Sequence, residues 1–281
     1  MKNKCDYIFF LLFVVSVFAS CNSSTNEMTS KADMREQAKL KAASTATTSV
    51  GGDYYSLPSP LELASVIQNT GVECNLDVLH RTELGVRYST NRASAINLGI
   101  YGADLSYSIY FNQQQVALKY LDCIRSLSSS LDIADLVSQK KIKEIEDNIQ
   151  NKEMLKKIVS QTFFHSDALL KESSRKSTAV MVAAGMWIEG LFISSQLSLC
   201  NSAGNQALTK SILEQGLVLD DLYNMLSAFE GQEDIDYLKK ELKPVKDCYQ
   251  EINNLKATDS NTLGSLCGVV AEVRSNFTQL F

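Results

Sequence analysis

From Leu57 onward the apolar positions of this chain recur at intervals of three and four, the spacing that gathers them on one face of an α-helix. Eight long segments read this way. Ala93 to Phe111 is strongly apolar, Val116 to Leu131 follows, and Asp135 to Gln150 is charged but keeps the stripe Ile142, Ile145 and Ile149. Met154 to Lys171 gives a fourth helix, Thr178 to Cys200 the most apolar one, and Gln206 to Phe229 a sixth, with Leu208, Ile212, Leu219, Leu222 and Leu226 at helical spacings. Asp234 to Leu255 is the seventh, with Pro244 expected to kink or split it, and Leu263 to Phe281 closes the chain. Leu57-Pro58-Ser59-Pro60 marks the start of the folded part, since Ser59 can cap a helix and Pro60 suits its first position. No segment alternates convincingly between apolar and polar residues, and Asn-Gly and Asp-Gly turns are absent. The expectation is an all-α fold, a multi-helix bundle over residues 57–281.

The chain ahead of the bundle is of two kinds. Residues 21–56 turn to Ser, Thr, Ala and Lys and include Gly51-Gly52, a composition that cannot bury enough apolar surface to offset its ordering entropy. We read it as a flexible tether whose middle, Met28 to Ala43, can form a transient helix; extended, it reaches on the order of 100 Å. Residues 1–20 begin with Lys2 and Lys4 and continue as an apolar run from Tyr7 to Ala19, too short to span a bilayer as a mature helix. Ala19 and Ser20 then stand before Cys21, with Phe18 at a position usually held by an aliphatic residue. This segment resembles the lipobox of bacterial lipoproteins, which implies cleavage before Cys21, diacylglycerol on its thiol and often an acylated amine. Two or three acyl chains anchor stably, because each buried methylene contributes about 0.8 kcal/mol and one chain holds only marginally.

Charge and cysteines narrow the field. Removing residues 1–20 takes Lys2, Lys4 and Asp6 and leaves 25 basic against 31 acidic side chains, a formal charge of −6. That balance argues against nucleic acid or an anionic membrane surface as the partner. Cys74, Cys123, Cys200, Cys248 and Cys267 remain in the mature body, an odd number with no metal-ligand spacing. They read mostly as small core hydrophobes, with no disulfide required.

Two residues draw attention as candidate chemistry. Asp104 and Glu189 are each the lone carboxylate of a nearly uncharged apolar helix, and a buried carboxylate must pair, accept hydrogen bonds or take up a proton. One reading makes them an interior general acid/base pair or metal ligands, near Tyr101 and Trp187. The other has each acid at a helix seam, satisfied by a neighbouring Tyr, Ser, Lys or Arg. Four-helix carboxylate metal sites add Glu-x-x-His, which is absent, so neither a metal nor a cofactor is expected. His80 reads as lying near the end of a short helix and His165 as a core-edge residue; no nucleotide motif occurs, and Ser-x-x-Lys is not found in a convincing β-lactamase context. Gly99, Gly102, Gly185 and Gly190 each weaken a helix by roughly 1 kcal/mol, which calls for a compensating reason such as close helix packing or room for a ligand. The stretch 96–105 can be laid over 182–191 with Gly99 on Gly185, a match that duplication or composition alone can generate. Thr178 to Cys200 is just long enough to span a bilayer, but Gln196 and its serines favour a buried core helix.

From Leu57 through the 91–133 region, including Asn97-Leu98-Gly99-Ile100-Tyr101-Gly102-Ala103-Asp104-Leu105, the mature part is similar to an uncharacterised group of helical lipoproteins from Bacteroidota. The resemblance implies an envelope location and a helical body, and no chemistry. In lipoproteins of that phylum surface export goes with acids soon after the lipidated cysteine; here the first is Glu27, so the resemblance implies the periplasmic side of the outer membrane over the cell surface. The expected function is a non-enzymatic, membrane-tethered module that binds an envelope protein partner or a small apolar ligand; the alternatives are an envelope enzyme using Asp104 or Glu189 and a purely structural protein. Intact-mass analysis of the protein from its native envelope should find a chain that begins at Cys21 and carries acyl groups. An unmodified, freely secreted product would overturn the lipid assignment.

Overall fold

The computed structural model describes residues 45–50, 53–133, 138–172, 175–200, 205–254 and 260–280. Cys21 and the stretch 28–43 lie outside them. Among the described residues the chain forms a short hairpin followed by nine α-helices, so the architecture is an all-α bundle. The helices are α1 (Pro60–Asn69), α2 (Asn91–Tyr110), α3 (Gln114–Ser130), α4 (Gln139–Asp147), α5 (Lys152–Glu172), α6 (Lys176–Cys200), α7 (Gln206–Ser227), α8 (Glu233–Asn254) and α9 (Ser260–Thr278). Two 3₁₀ turns, Leu76–Val78 and Thr82–Arg87, bridge α1 to α2.

Local chemistry sets the boundaries. The Ser59 side chain accepts the Glu62 N–H at the start of α1, with Pro60 in the first turn, and Thr90 and Asn205 cap α2 and α7 in the same way. Asn112 and Asp132 take positive φ just after α2 and α3, where short polar side chains tolerate the left-handed region. Pro244 does not split α8: the helix runs through it, and the proline is exposed, where water can serve the carbonyl one turn back that loses its partner.

The hairpin is a difference from the sequence reading. Residues 45–58, read as the end of a tether and the first folded residues, pair antiparallel as β1 (Thr45–Val50) and β2 (Asp53–Pro58), with Thr45 opposite Pro58 and Val50 opposite Asp53. Thr45, Thr47, Thr48, Val50, Tyr54 and Tyr55 favour extended backbone, and Gly51-Gly52 suits a two-residue connection. The signal was a Gly-Gly pair between β-formers, and the polar composition masked it.

The core is organised on the α2–α6 contact, the most extensive between any two helices. A Cβ on Gly99 would collide with the Val182 carbonyl oxygen of α6, and a Cβ on Gly185 with the Ile96 carbonyl oxygen of α2. The two helices therefore meet backbone to backbone, each lending a glycine to the other. Gly190 makes room for Leu63 of α1, whereas a Cβ on Gly102 would meet nothing within 4 Å. Around this pair, α3 covers α2, and α7, α8 and α9 pack as a group against α6. Within the α6 segment Lys176–Leu199 an 18-residue stretch has a mean hydropathy of 1.4, sufficient for a membrane span, but 72% of that stretch is buried inside the bundle, as in a core helix. Cys74, Cys123, Cys248 and Cys267 are free thiols, Cys123 and Cys267 buried; the side chain of Cys200 is outside the described set.

Gly99→Ala or Gly185→Ala should force α2 and α6 apart and lower stability by about 3 kcal/mol in urea unfolding, the upper range for overpacking. Gly102→Ala, on the same helix with open space beside it, should instead stabilise by up to about 1 kcal/mol through helix propensity.

Candidate functional site

The two apolar helices that meet at the glycines each carry their acid inward. Asp104 on α2 and Glu189 on α6 are both 0% exposed. Glu189 is gripped by Arg274 of α9 in a fork: Nε donates to Oε2 at 2.8 Å and Nη2 to Oε1 at 2.9 Å, with the arginine side chain only 15% exposed. The fork matches the carboxylate plane and is the strongest ion-pair geometry available to a protein. The guanidinium also lies 4.6 Å from the centre of the Phe192 ring. Burial opposes the charge on Arg274, but Glu189 outweighs it and the guanidinium holds its proton more tightly than usual.

Asp104 is held differently. Its Oδ2 accepts the backbone N–H of His80 at 3.2 Å, and its Oδ1 meets no donor among the described residues. Burial, then the nearby charge of Glu189, push its carboxyl well above the usual carboxylate range, with Arg274 and the His80 N–H acting the other way.

His80, between the two 3₁₀ turns, is the hub on this side. Its N–H serves Asp104, its carbonyl accepts the Tyr120 hydroxyl at 2.9 Å, and its Nε2 lies 2.7 Å from the Tyr88 oxygen. Tyr88 donates its own O–H to the Thr278 carbonyl at 2.9 Å, so the Nε2 atom is the donor to Tyr88, which fixes the tautomer. Burial, followed by Arg274 and Arg81, lowers the His80 pKa to about 3, so the ring is neutral. Tyr101 stacks obliquely beside His80, ring centres 5.2 Å apart, and burial pushes its phenol up. Its hydroxyl bonds the Arg81 carbonyl at 3.0 Å and neither acid.

The structure thus brings Asp104, Glu189 and Tyr101 into one region and leaves Trp187 out of it. Two residues along α6 from Glu189, Trp187 points to another side of the helix and donates its indole N–H to Gln215 of α7 at 3.2 Å. Sequence reasoning missed Arg274 and His80. Arg274 was legible by the rule that found the acids, since it is the lone cation of the apolar helix α9. His80 acts largely through its backbone, which no residue pattern reveals. His165 lies on α5, with its side chain outside the described set. Among the described residues, no group of three or more His, Cys, Asp or Glu side chains gathers as a metal site.

The described surface also carries a depression. Beside the Thr82–Arg87 turn and α3, a shallow depression of about 280 Å³ is lined by Gly85, Val86, Lys119, Asp122 and Cys123. Val86 is 83% exposed at its edge, and burial, then Asp122, push the Cys123 thiol up to about 11.

No family model matches the chain, no curated protein is significantly similar to it, and no solved structure shares its fold at a significant level.

Arg274→Met should cost about 3–5 kcal/mol in chemical unfolding, because it leaves the Glu189 carboxylate buried without its partner. Adding Glu189→Leu to that variant should recover a large part of the loss, as replacement of a whole buried pair by apolar groups does. A single-variant cost within about 0.5 kcal/mol of zero, the level of an ordinary surface change, would show that the pair does not hold the bundle.

Proposed function

We propose that this chain is a lipid-anchored, non-enzymatic helical module of the bacterial cell envelope, tethered through Cys21 and acting by docking an envelope protein on its outer surface. The observation that carries the reading is the closure of the interior acid cluster. An acid or base that works on a diffusible substrate must come within about 3 Å of it. Asp104 and Glu189 have no exposed surface, Glu189 is taken up on both oxygens by Arg274, and the groups around them are spent on one another. These acids fit a role in packing, which moves recognition to the outside of the bundle.

The anchor rests on the signal-like residues 1–20 and Cys21, and the periplasmic face of the outer membrane is the location that the neutral stretch 22–26 favours. A second reading, a small apolar ligand, finds support in the depression beside Val86. Its 280 Å³ lies just below the usual range for ligand pockets, and it is shallow where such pockets enclose most of their ligand. Val86, 83% exposed at the edge of this depression, would lose its apolar surface to a protein that covered the face, which supports the protein-partner reading.

Crosslinking in the native envelope, followed by mass spectrometry, should join residues around Val86 to a protein partner. Val86→Asp should reduce that crosslink at least about tenfold, the equivalent of 1.4 kcal/mol, with the unfolding midpoint unchanged. Undiminished crosslinking in the variant would remove this face from the interaction. Loss of partner capture in Glu189→Gln with stability retained would turn the reading back toward a working interior site.

A further inference from the structure

Two buried carboxyl groups face one buried cation at the centre of the bundle. Arg274 is committed to both oxygens of Glu189, which balances one negative charge. Asp104 keeps one backbone donor on Oδ2, while its wholly buried Oδ1 meets no donor among the described residues, and Glu189, also 0% exposed, is near enough for its charge to act on Asp104. Two ionised carboxylates have only acceptors to offer each other, whereas a neutral acid has an O–H to give. We infer that Asp104 and Glu189 share one proton in the folded protein, with Asp104 the neutral acid and its Oδ1 hydroxyl donating to Glu189. The inference is independent of the surface function proposed above.

Every element packed around Asp104 is consistent with this assignment. The loop before α2 contributes His80, Arg81 and Tyr88, α2 contributes Tyr101, α3 contributes Tyr120 and Cys123, α6 contributes Glu189 and α9 contributes Arg274. His80 is neutral, with its Nε2 proton given to Tyr88. The three phenols and the thiol are all raised by burial and hold their protons at neutral pH. Arg81 is felt at His80, and the positive charge that acts on Asp104 is that of Arg274. A proton on Asp104 satisfies Oδ1 and removes the second negative charge in a single step.

The shared proton makes the cohesion of the bundle fall as pH rises above the ordinary aspartate range. An unfolded aspartate ionises near pH 4, so unfolding at neutral pH releases this proton. Stability from this group is complete below about pH 4 and falls as pH rises toward the raised value in the folded state, by about tenfold in the unfolding constant per pH unit. Once Asp104 ionises, two anions share one guanidinium beside the α2–α6 crossing.

Urea unfolding of the wild type and Asp104→Asn at about pH 5, 6 and 7 tests the assignment. The asparagine amide can donate to Glu189 and accept from His80, and it does not titrate. The unfolding constant of the wild type divided by that of the variant should rise with pH, by up to about tenfold per pH unit. A ratio independent of pH overturns the inference, and so does one that falls with pH, the behaviour of an ionised Asp104 paired to Arg274. If the variant does not fold, infrared spectroscopy of the wild type with ¹³C-labelled aspartate decides. A carbonyl band of un-ionised aspartic acid at neutral pH supports the shared proton on Asp104; carboxylate bands alone, or an acid band that moves with labelled glutamate, overturn it.

Discussion

The bundle depends on how closely two helix backbones can approach. Gly99 and Gly185 let α2 and α6 meet with carbonyl oxygens where β-carbons would otherwise stand. Dispersion gains per atom pair are small, but backbone contact along a crossing multiplies them, which offsets the roughly 1 kcal/mol that each helical glycine costs. The same closeness has an electrostatic consequence. Asp104 and Glu189, five and four residues beyond their glycines, lie beside that crossing with no exposed surface. Any charge on them must be answered by protein groups.

One of the two acids is answered by charge and the other by a backbone N–H. Arg274 matches Glu189, and the match needs the C-terminal half of α9 held in register with α6. That register has two further fasteners: Asn97 of α2 donates to the Phe277 carbonyl at 3.0 Å, and Tyr88 to the Thr278 carbonyl at 2.9 Å. Carbonyls in the last turn of a helix have no partner within it, so these bonds also end α9 properly. The final helix is thus tied to the start of the bundle through polar groups that are buried or nearly so. Pairs such as Lys243–Asp247 and Lys210–Glu214, on exposed surfaces, contribute at most about 1 kcal/mol each and specify little.

The sequence carried the helices more completely than the site. Length and all-round apolarity placed α2 and α6, which neighbours bury on most sides, and period-three-and-four spacing placed α7, each within a few residues of its observed ends. The hairpin at 45–58 escaped because its polar, small-residue composition reads like linker, and pairing depends on register more than on residue type. For the site, an isolated carboxylate in an apolar helix was sufficient to find Asp104 and Glu189, and the identity of the partner was not. Arg274 lies 85 residues from Glu189 in the chain, and only the fold decides which of many basic residues reaches it. Trp187 shared the helix of Glu189 but not its face, since two residues turn a helix by about 200°.

The likeness between residues 96–105 and 182–191 can be derived from this contact geometry. Two helices that cross backbone to backbone need a small residue at the crossing on each side, and each small residue must meet the partner about three positions before the partner's own. That is the observed arrangement: Gly99 meets Val182, Gly185 meets Ile96, and each contacted residue lies three before its own helix's glycine. A reciprocal crossing of this kind imposes the same spacing on both sequences. The flanking apolar residues follow, since both helices are buried on most sides, and the acids need not align. They do not: Asp104 stands five residues after its glycine and Glu189 four. Packing therefore accounts for the matched glycines, and it explains why the match fails at the acids, where the two helices meet different partners, the His80 backbone on one side and Arg274 on the other. Duplication of an ancestral helix is not required to produce the resemblance.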